Sequence, residues 1–233
     1  MTAIVPCTLV RVVDFSRDSI EFGRALSFVD AIFGFSVTLL VTTLQVPPAA
    51  AWSSIGALLD SGLGDQLLAF VISFVVVAGF WRSNHRVIST FRALDGVTLR
   101  ILIYLVAVVI FIPFTTKAIS DPDPAGLPLP TALYAANVAA VVLLTALLVV
   151  VGRLRGLTGA DRPLLPQISG SLLVAAVFLG SIPLAYRFGP DDAKWAWLSL
   201  LVLSPVTDVL VRRVSRSRTP LQRHAADPHT PSR

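Results

Sequence analysis

Six long apolar segments follow one another along the chain, separated by short polar or proline-containing stretches. Each is close to the ~20 residues that a helix needs to cross the hydrocarbon core of a bilayer. Pro47-Pro48 ends the first segment, Trp81-Arg82 ends the second, and Pro130 opens the fourth. The pattern predicts an all-α membrane protein with six transmembrane helices. They cover residues 25–46, 66–82, 98–116, 130–152, 166–187 and 192–211.

The composition agrees with a membrane protein and narrows the kinds of site. Of the 233 residues, 55% are apolar and only 14% are charged, against about 25% charged residues in a soluble globular protein. The single cysteine, Cys7, excludes an internal disulfide and a cysteine-based metal cluster. Acidic residues interrupt the first 23 positions, which is not typical of a secretory signal. We therefore expect residues 1–23 to form a cytoplasmic N-terminal segment and residues 24–212 to form the membrane domain.

The basic residues predict the direction of the six spans. Sixteen of the 19 lysines and arginines fall on one side of a six-span arrangement, and only Lys117, Arg187 and Lys194 fall on the other. Cytoplasmic loops carry the Lys/Arg excess, so both termini are expected in the cytoplasm of a multi-pass cell-membrane protein. We expect residues 213–233 to form a basic, disordered tail that contacts anionic lipid. Because topology explains the positive charge, no nucleic-acid partner is expected.

Motifs of catalysis and metal binding are missing from the sequence. It contains no Gly-rich phosphate loop and no His-Glu-x-x-His pair. Its three histidines, His85, His224 and His229, are too scattered for a metal site. The fourth and fifth spans hold no charged residue before Arg187, although pumps and enzymes working inside the membrane usually need ionisable groups there. We expect no enzyme activity, no metal and no cofactor, and a passive role.

The first span carries a stripe that is unusual for a lipid-facing surface. On a helix, Phe35, Leu39 and Thr42 form one line and Thr38 lies beside it. Such a stripe suits a narrow passage, because apolar constrictions gate by dewetting and hydroxyl oxygens replace lost hydration. The alternative is that the threonines bond to their own helix backbone while the stripe packs on another span. The pattern alone leaves both interpretations open.

Four stretches, taken in order, resemble the lysosomal potassium channel family, transmembrane protein 175. Arg24-x-x-x-Phe28-Val29-Asp30 followed by AIFGFSVTLLV is similar to the signature of the family's first helix. The other three are SFVVVAGFWRSNHRVI (Ser73–Ile88), IFIPFTT (Ile110–Thr116) and LYAANV (Leu133–Val138), which resemble parts of its second, third and fourth helices. The resemblance covers about residues 20 to 212.

This resemblance implies a homotetramer in the lipid bilayer, with potassium as the permeant ion and the first helices lining a central pore. It assigns Phe35, Leu39 and Thr42 to the pore, with Thr38 as the hydroxyl layer, in agreement with the stripe. It also implies a structural polar network of Arg24, Asp30, Asn84 and His85. The sequence departs from the family pattern at four positions, and these departures bear on selectivity. Val29 replaces a serine, Asn84 a histidine, Phe35 a smaller aliphatic residue and Thr42 a leucine.

Helix geometry supports the need for such a network. Arg24 and Asp30 are six residues apart and point about 120° away from each other, so they cannot pair well within one helix. An unpaired charge at that depth costs about 2.5–3.5 kcal/mol, which favours partners on another span. The alternative places Arg24 at the interface by snorkelling and leaves Asp30 to water.

The sequence therefore predicts a potassium-permeable, weakly selective cation channel. Two other functions stay open at this point. One is a proton-coupled secondary transporter that uses Asp30 and His85. The other is a non-conducting membrane scaffold.

Overall fold

The computed structural model describes residues 15–121, 126–159, 164–193 and 195–197, with residues 164–167 as backbone only. The chain is almost entirely helical there. Short 3₁₀ turns cover Leu40–Thr43 and Ala49–Ser53, and a π turn covers Leu59–Leu63. The regular elements are β1 Phe15–Ser16, α1 Ile20–Leu39, α2 Ile55–Leu58, α3 Gly64–Ile88, β2 Ala93–Leu94, α4 Gly96–Ile110, α5 Ile112–Ser120, α6 Pro128–Leu154 and α7 Leu164–Arg187.

Five helical stretches are long and apolar enough to cross a membrane, so the chain is a multi-pass membrane protein. They coincide with the first five predicted segments. Most of the sixth, 192–211, lies outside the described residues, as do the tail 213–233 and residues 1–14. The five stretches are Ile20–Thr43, Ile55–Ile88, Gly96–Ser120, Pro128–Leu154 and Ile168–Arg187.

The second span is longer than predicted at both ends. It begins at Ile55, where Ser54 accepts a hydrogen bond from the Ala57 amide, and it bends at Gly62, whose φ of 82° suits glycine. It continues past Trp81-Arg82 to Ile88. The prediction that Trp81-Arg82 ends the helix was wrong. Polar side chains mark where a span reaches the membrane surface, but the backbone of such residues remains able to continue a helix.

The third span is broken between α4 and α5. Pro113 has no amide hydrogen, so the helix cannot keep its regular ladder there. The side chain of Asn137 on α6 reaches this break. In the orientation that satisfies both of its ends, its amide nitrogen donates to the Val108 carbonyl at 3.0 Å, and its oxygen accepts from the Ile112 amide at 3.2 Å. Two stretches noted in the sequence, around Pro113 and around Asn137, therefore meet in space.

Helix α6 lies at the centre of the described bundle. It packs against α4, α5 and α7, while α1 packs against α3 and α4. A buried hydroxyl cluster joins three of these helices: Ser73 Oγ lies 3.1 Å from Tyr134 Oη and 2.8 Å from Thr116 Oγ1. The Tyr134 ring also packs on Trp197, with 5.0 Å between ring centroids. The spans are thus connected by hydrogen bonds that lipid cannot replace.

A loop cluster, residues 15–17, 89–95 and 155–159, connects the helix ends on the side predicted to be cytoplasmic. In it β1 pairs antiparallel with β2, and the Arg17 guanidinium donates to the Ser89 and Phe91 carbonyls at 2.7 and 3.1 Å. The Arg92 amide donates to the Leu157 carbonyl at 2.8 Å. The start of α1 is therefore held against the ends of α3 and α6.

Phe91 of the loop cluster packs directly on Gly152 of α6. The Phe91 ring is fully buried, and a Cβ built on Gly152 would lie 2.3 Å from its Cζ. Any larger residue at position 152 forces the ring, and with it the loop cluster, to move.

We expect Gly152→Ala to lower the melting temperature of the purified protein, with an overpacking cost of about 1–3 kcal/mol. Gly180→Ala is the matched control, since a Cβ there meets nothing within 4 Å and alanine is the better helix former. The measurement is thermal unfolding in detergent. A Gly152→Ala protein as stable as the Gly180→Ala protein contradicts the packing described here.

Asp95 is the polar centre of the loop cluster. Its buried side chain caps α4 by accepting from the Val97 and Thr98 amides at 3.1 and 2.8 Å, and it pairs with Arg155. Burial alone raises the pKa of Asp95, but the hydrogen bonds from Thr98 and Arg155 outweigh it, so the pKa lies below the ordinary 3.8.

Because the pKa of Asp95 is lowered on folding, its carboxylate stabilises the protein above the unfolded pKa of about 4, and this stabilisation is lost as pH falls through the lower folded pKa. We expect Asp95→Asn to cost about 1–3 kcal/mol at pH 7 and to flatten the fall in melting temperature below about pH 4. Asp60→Asn, at an exposed carboxylate, is the control. Parallel pH profiles for the wild-type and Asp95→Asn proteins would show that the carboxylate does not carry this effect.

Candidate functional site: the exposed face of α1

Helix α1 has one buried and one exposed face. Phe22, Val29, Phe33 and Ser36 are buried against neighbouring helices. Only 22% of the residues in its most apolar part are buried, which is similar to the second span (17%) and the fifth (22%) and well below the 56% of α6. Much of α1 is therefore uncovered by the described part of one chain.

The exposed face contains every pore residue predicted from the sequence. Phe35 is 67% exposed and Leu39 43% exposed. Six of the exposed residues fall within a sector of about 100° around the helix axis. We call this surface the α1 stripe; its members are Phe28, Ala31, Phe35, Thr38, Leu39 and Thr42.

The two threonines of the stripe bond to their own helix. Thr38 Oγ1 donates to the Phe35 carbonyl at 2.8 Å, and Thr42 Oγ1 donates to the Leu39 carbonyl at 2.7 Å. This matches the first half of the alternative interpretation. The second half, packing on another span, does not bury the stripe within the described residues, because all four predicted side chains are exposed. Since each hydroxyl proton is used, the oxygens present only lone pairs to the outside, which suits a cation.

The two ends of α1 are held in different ways. The Ser19 hydroxyl caps α1 at its start by accepting from the Phe22 amide at 3.2 Å. Beyond its end, the Gln45 amide donates to the buried Gln66 of α3 at 2.7 Å, and the Gln45 side chain donates to Asp121 at 3.3 Å. The stripe is therefore fixed in orientation relative to the other helices.

The predicted polar network is only partly brought together. The Trp81 indole donates to Asp30 Oδ1 at 3.0 Å, and the Trp81 ring lies 5.9 Å from the His85 ring. Asp30 and His85 are thus joined through Trp81. Asn84 points elsewhere: it is only 2% exposed, and its Oδ1 has no partner among the described residues. Arg24 is exposed and has no hydrogen bond or ion pair with any described residue.

Trp81 is the member of this group that sequence reasoning missed. The sequence alone predicts only that Trp81 is an aromatic residue at a span end, which is the usual place for tryptophan in a membrane protein. One signal was available, because Trp81 precedes His85 by four residues and so lies on the same face of α3.

The comparisons with known proteins concern this same region. A family model described as endosomal/lysosomal potassium channel TMEM175 matches residues 24–113, a range that begins at Arg24 and contains the whole stripe, Trp81 and His85. A relative described as a potassium channel from Chamaesiphon minutus is 33% identical over 172 residues, which are 73% of this chain and 79% of the relative.

The chain belongs to the TMEM175 family. The resemblance found in the four sequence stretches is thereby confirmed. A relative described as a potassium channel from Streptomyces collinus is 29% identical over 105 residues, 43% of this chain and 48% of the relative. Another from Chryseobacterium sp. is 27% identical over 95 residues, 41% of this chain and 47% of the relative. The chain thus matches about half the length of these two.

The fold of the chain is also found in a solved structure. The crystal structure of a lysosomal potassium-selective channel TMEM175 homolog from Chamaesiphon minutus superposes with a TM-score of 0.65 and 20% sequence identity. The superposition covers 82% of this chain and 99% of the other. The arrangement of helices that positions the α1 stripe is therefore shared with that protein.

We expect Trp81 and Asp30 to be energetically coupled, because a hydrogen bond to a charged group is worth about 1.5–3 kcal/mol. In a double-mutant cycle of Trp81→Phe and Asp30→Asn, the coupling should be about 0.5–3 kcal/mol in thermal unfolding. Trp52→Phe, which removes an indole bonded to the Pro47 carbonyl at 3.2 Å, is the control and should show no coupling to Asp30→Asn. Additive effects of Trp81→Phe and Asp30→Asn would mean that the contact contributes nothing.

Proposed function

We propose that this protein is a potassium-permeable channel whose pore is lined by the α1 stripe. The observation that carries the proposal is the exposure of Phe35, Thr38, Leu39 and Thr42 on one face of the helix that the family model matches. The relatives' descriptions as potassium channels support the choice of potassium as the permeant ion.

The pore would form between identical copies, because α1 of one chain encloses nothing. Copies related by a rotation axis present the same face to that axis. A homotetramer around a central axis would turn each stripe residue into a ring of four. The line of exposed threonines among the apolar residues of α1 favours such an assembly, with lipid covering the outer helices.

Permeation would be passive, down the ion gradient across the cell membrane, with both termini in the cytoplasm. The Phe35 and Leu39 rings would form apolar constrictions that conduct when wet and close when dry. The Thr38 oxygens, whose protons are directed to the backbone, would replace part of the ion's hydration shell at the narrow part. Rings of hydroxyls and apolar side chains discriminate less sharply than a carbonyl filter, which favours weak selectivity for potassium.

The first test is ion flux from liposomes that hold purified protein and a potassium gradient. We expect potassium flux that needs no proton gradient, and a rise of about tenfold in Leu39→Ser, equivalent to about 1.4 kcal/mol of barrier, because the constriction becomes wetter. Thr38→Val should reduce the preference for potassium over sodium.

Leu172→Ser is the matched control for Leu39→Ser. Leu172 lies on α7 and is 46% exposed, close to the 43% of Leu39, yet it is not on the stripe, so its flux should equal that of the wild type. Flux that appears only with a proton gradient would favour the coupled transporter. Absence of any flux would favour the scaffold.

A further inference from the structure

The last turn of the α1 stripe is wound more tightly than the rest of the helix. Residues Leu40–Thr43 form a 3₁₀ turn, here called the outer turn, after which the Leu44 amide donates to the Val41 carbonyl at 3.2 Å. A 3₁₀ helix has about three residues per turn, so side chains three positions apart lie directly above one another. Thr42 therefore stands over Leu39, whereas a continued α-helix would rotate it by about 60° away from Leu39.

The burial of the neighbouring side chains agrees with this tighter winding. Leu40 is fully buried and Thr43 is only 4% exposed, and the same three-residue spacing places Thr43 over Leu40 on the side of α1 that faces the bundle. An α-helical turn would rotate Thr43 by about 60° from that buried line. The outer turn thus continues both faces of α1 in straight lines, the buried face through Thr43 and the exposed face through Thr42.

The outer turn is supported from two other spans. A 3₁₀ helix has poorer hydrogen-bond geometry than an α-helix, so contacts outside the turn matter for its stability. The support comes through Gln45, whose backbone amide donates to Gln66 Oε1 at 2.7 Å and whose side chain donates to Asp121 Oδ2 at 3.3 Å. Gln66 lies in the first turn of α3, and Asp121 directly follows α5. The chain that leaves the outer turn is therefore held on both sides.

Gln66 is the more direct of the two anchors. It bonds to the backbone of Gln45, so it fixes the path of the main chain, whereas Asp121 bonds to the end of a side chain. Gln66 is also only 6% exposed. A side-chain amide buried in a membrane domain depends on protein partners, because lipid offers none. The bond between Gln66 and the Gln45 amide is thus the main link between α3 and the end of the stripe.

We propose that Gln66 is a positioning residue for the pore: it holds the Gln45 amide, keeps the outer turn wound, and so places the Thr42 oxygen directly over the Leu39 constriction. This inference rests on the proposed function, because Thr42 meets a permeant ion only if α1 of several copies surrounds one axis. The Thr42 hydroxyl already donates its proton to the Leu39 carbonyl at 2.7 Å. Its oxygen therefore presents lone pairs to a cation that passes the constriction.

The positioning role predicts that the effects of changing Gln66 and Thr42 are not additive. In Gln66→Leu the Gln45 amide loses its acceptor on α3, and the outer turn can relax to α-helical winding. Thr42 then rotates by about 60° and its oxygen no longer lies over Leu39. Removal of the Thr42 hydroxyl should therefore matter in the wild type and have little effect once Gln66 has been replaced.

The first experiment is single-channel recording of the full-length protein in planar bilayers with potassium chloride on both sides. Thr42→Val and Gln66→Leu should each lower the conductance about threefold, and the double variant should be no lower than either single variant. A threefold loss from Thr42→Val in both the wild-type and the Gln66→Leu backgrounds would overturn the positioning role and leave the channel intact.

Ser181→Ala is the matched control for the loss of a buried hydrogen bond. Ser181 is 2% exposed, and its hydroxyl accepts from the Trp197 indole at 2.8 Å, a contact that does not involve α1. The Ser181→Ala protein should conduct like the wild type, and Thr42→Val should keep its threefold effect in that background. Disappearance of the Thr42→Val effect there as well would assign it to general loosening of the bundle and overturn the role of Gln66.

A second measurement tests the hold on the outer turn without ion flow. Hydrogen exchange of the Gln45 amide, followed by mass spectrometry with residue-level fragmentation, should be about tenfold faster in Gln66→Leu, because the amide loses its acceptor. Gln66→Glu keeps an oxygen at the same reach and should restore slow exchange, and Ser181→Ala should leave exchange slow.

The exchange result separates this inference from the proposed channel. Equal exchange of the Gln45 amide in the Gln66→Leu and wild-type proteins overturns the inference whether or not the protein conducts. Faster exchange in Gln66→Leu together with a wild type that does not conduct would refute the proposed channel and support the hold of Gln66 on the outer turn.

Discussion

A lipid bilayer offers no hydrogen-bond partner to a polar group, and this constraint divides the polar side chains of the spans into two sets. One set is satisfied inside the chain. Ser73, Thr116 and Tyr134 bond to one another, and the Asp30 carboxylate receives the Trp81 indole. The other set, on the α1 stripe and just below it, is satisfied only on the helix backbone or not at all. The proposed pore would give the second set a surrounding other than lipid.

The satisfied set also determines how α1 is oriented. Its start is tied to the loop cluster through Arg17, its middle to α3 through Asp30, and the residues after its end to α3 and α5 through Gln45. These contacts lie on the sides of α1 that face the bundle. A helix held at three levels along its length cannot rotate its stripe towards its own chain, so the exposed face is a fixed property of the fold.

The sequence predicted the spans well because an apolar run of about 20 residues is stable chiefly as a helix that crosses a bilayer. It predicted the α1 stripe because helical periodicity alone places Phe35, Leu39 and Thr42 together. It did not predict contacts that depend on how two helices meet. The fit of Phe91 against Gly152 and the amide of Asn137 at the break before Pro113 are relations between distant positions. The hydrogen bond of Trp81 to Asp30 was not predicted for the same reason. A tryptophan at the membrane interface and a tryptophan bonded to another helix cannot be distinguished in the sequence.

The departures from the family pattern fall on both sides of α1, the side that faces the bundle and the exposed stripe. Val29 is buried against the bundle, where a serine would need an internal partner, so its change affects packing. Phe35 and Thr42 are on the exposed stripe, where a side chain is free to differ in size and polarity without disturbing the fold. Variation on the buried face of α1 is therefore constrained by neighbouring helices, whereas variation on the stripe is not constrained by the rest of its own chain. If the stripe lines the proposed pore, relatives of one fold can differ there in ion preference without a change in packing.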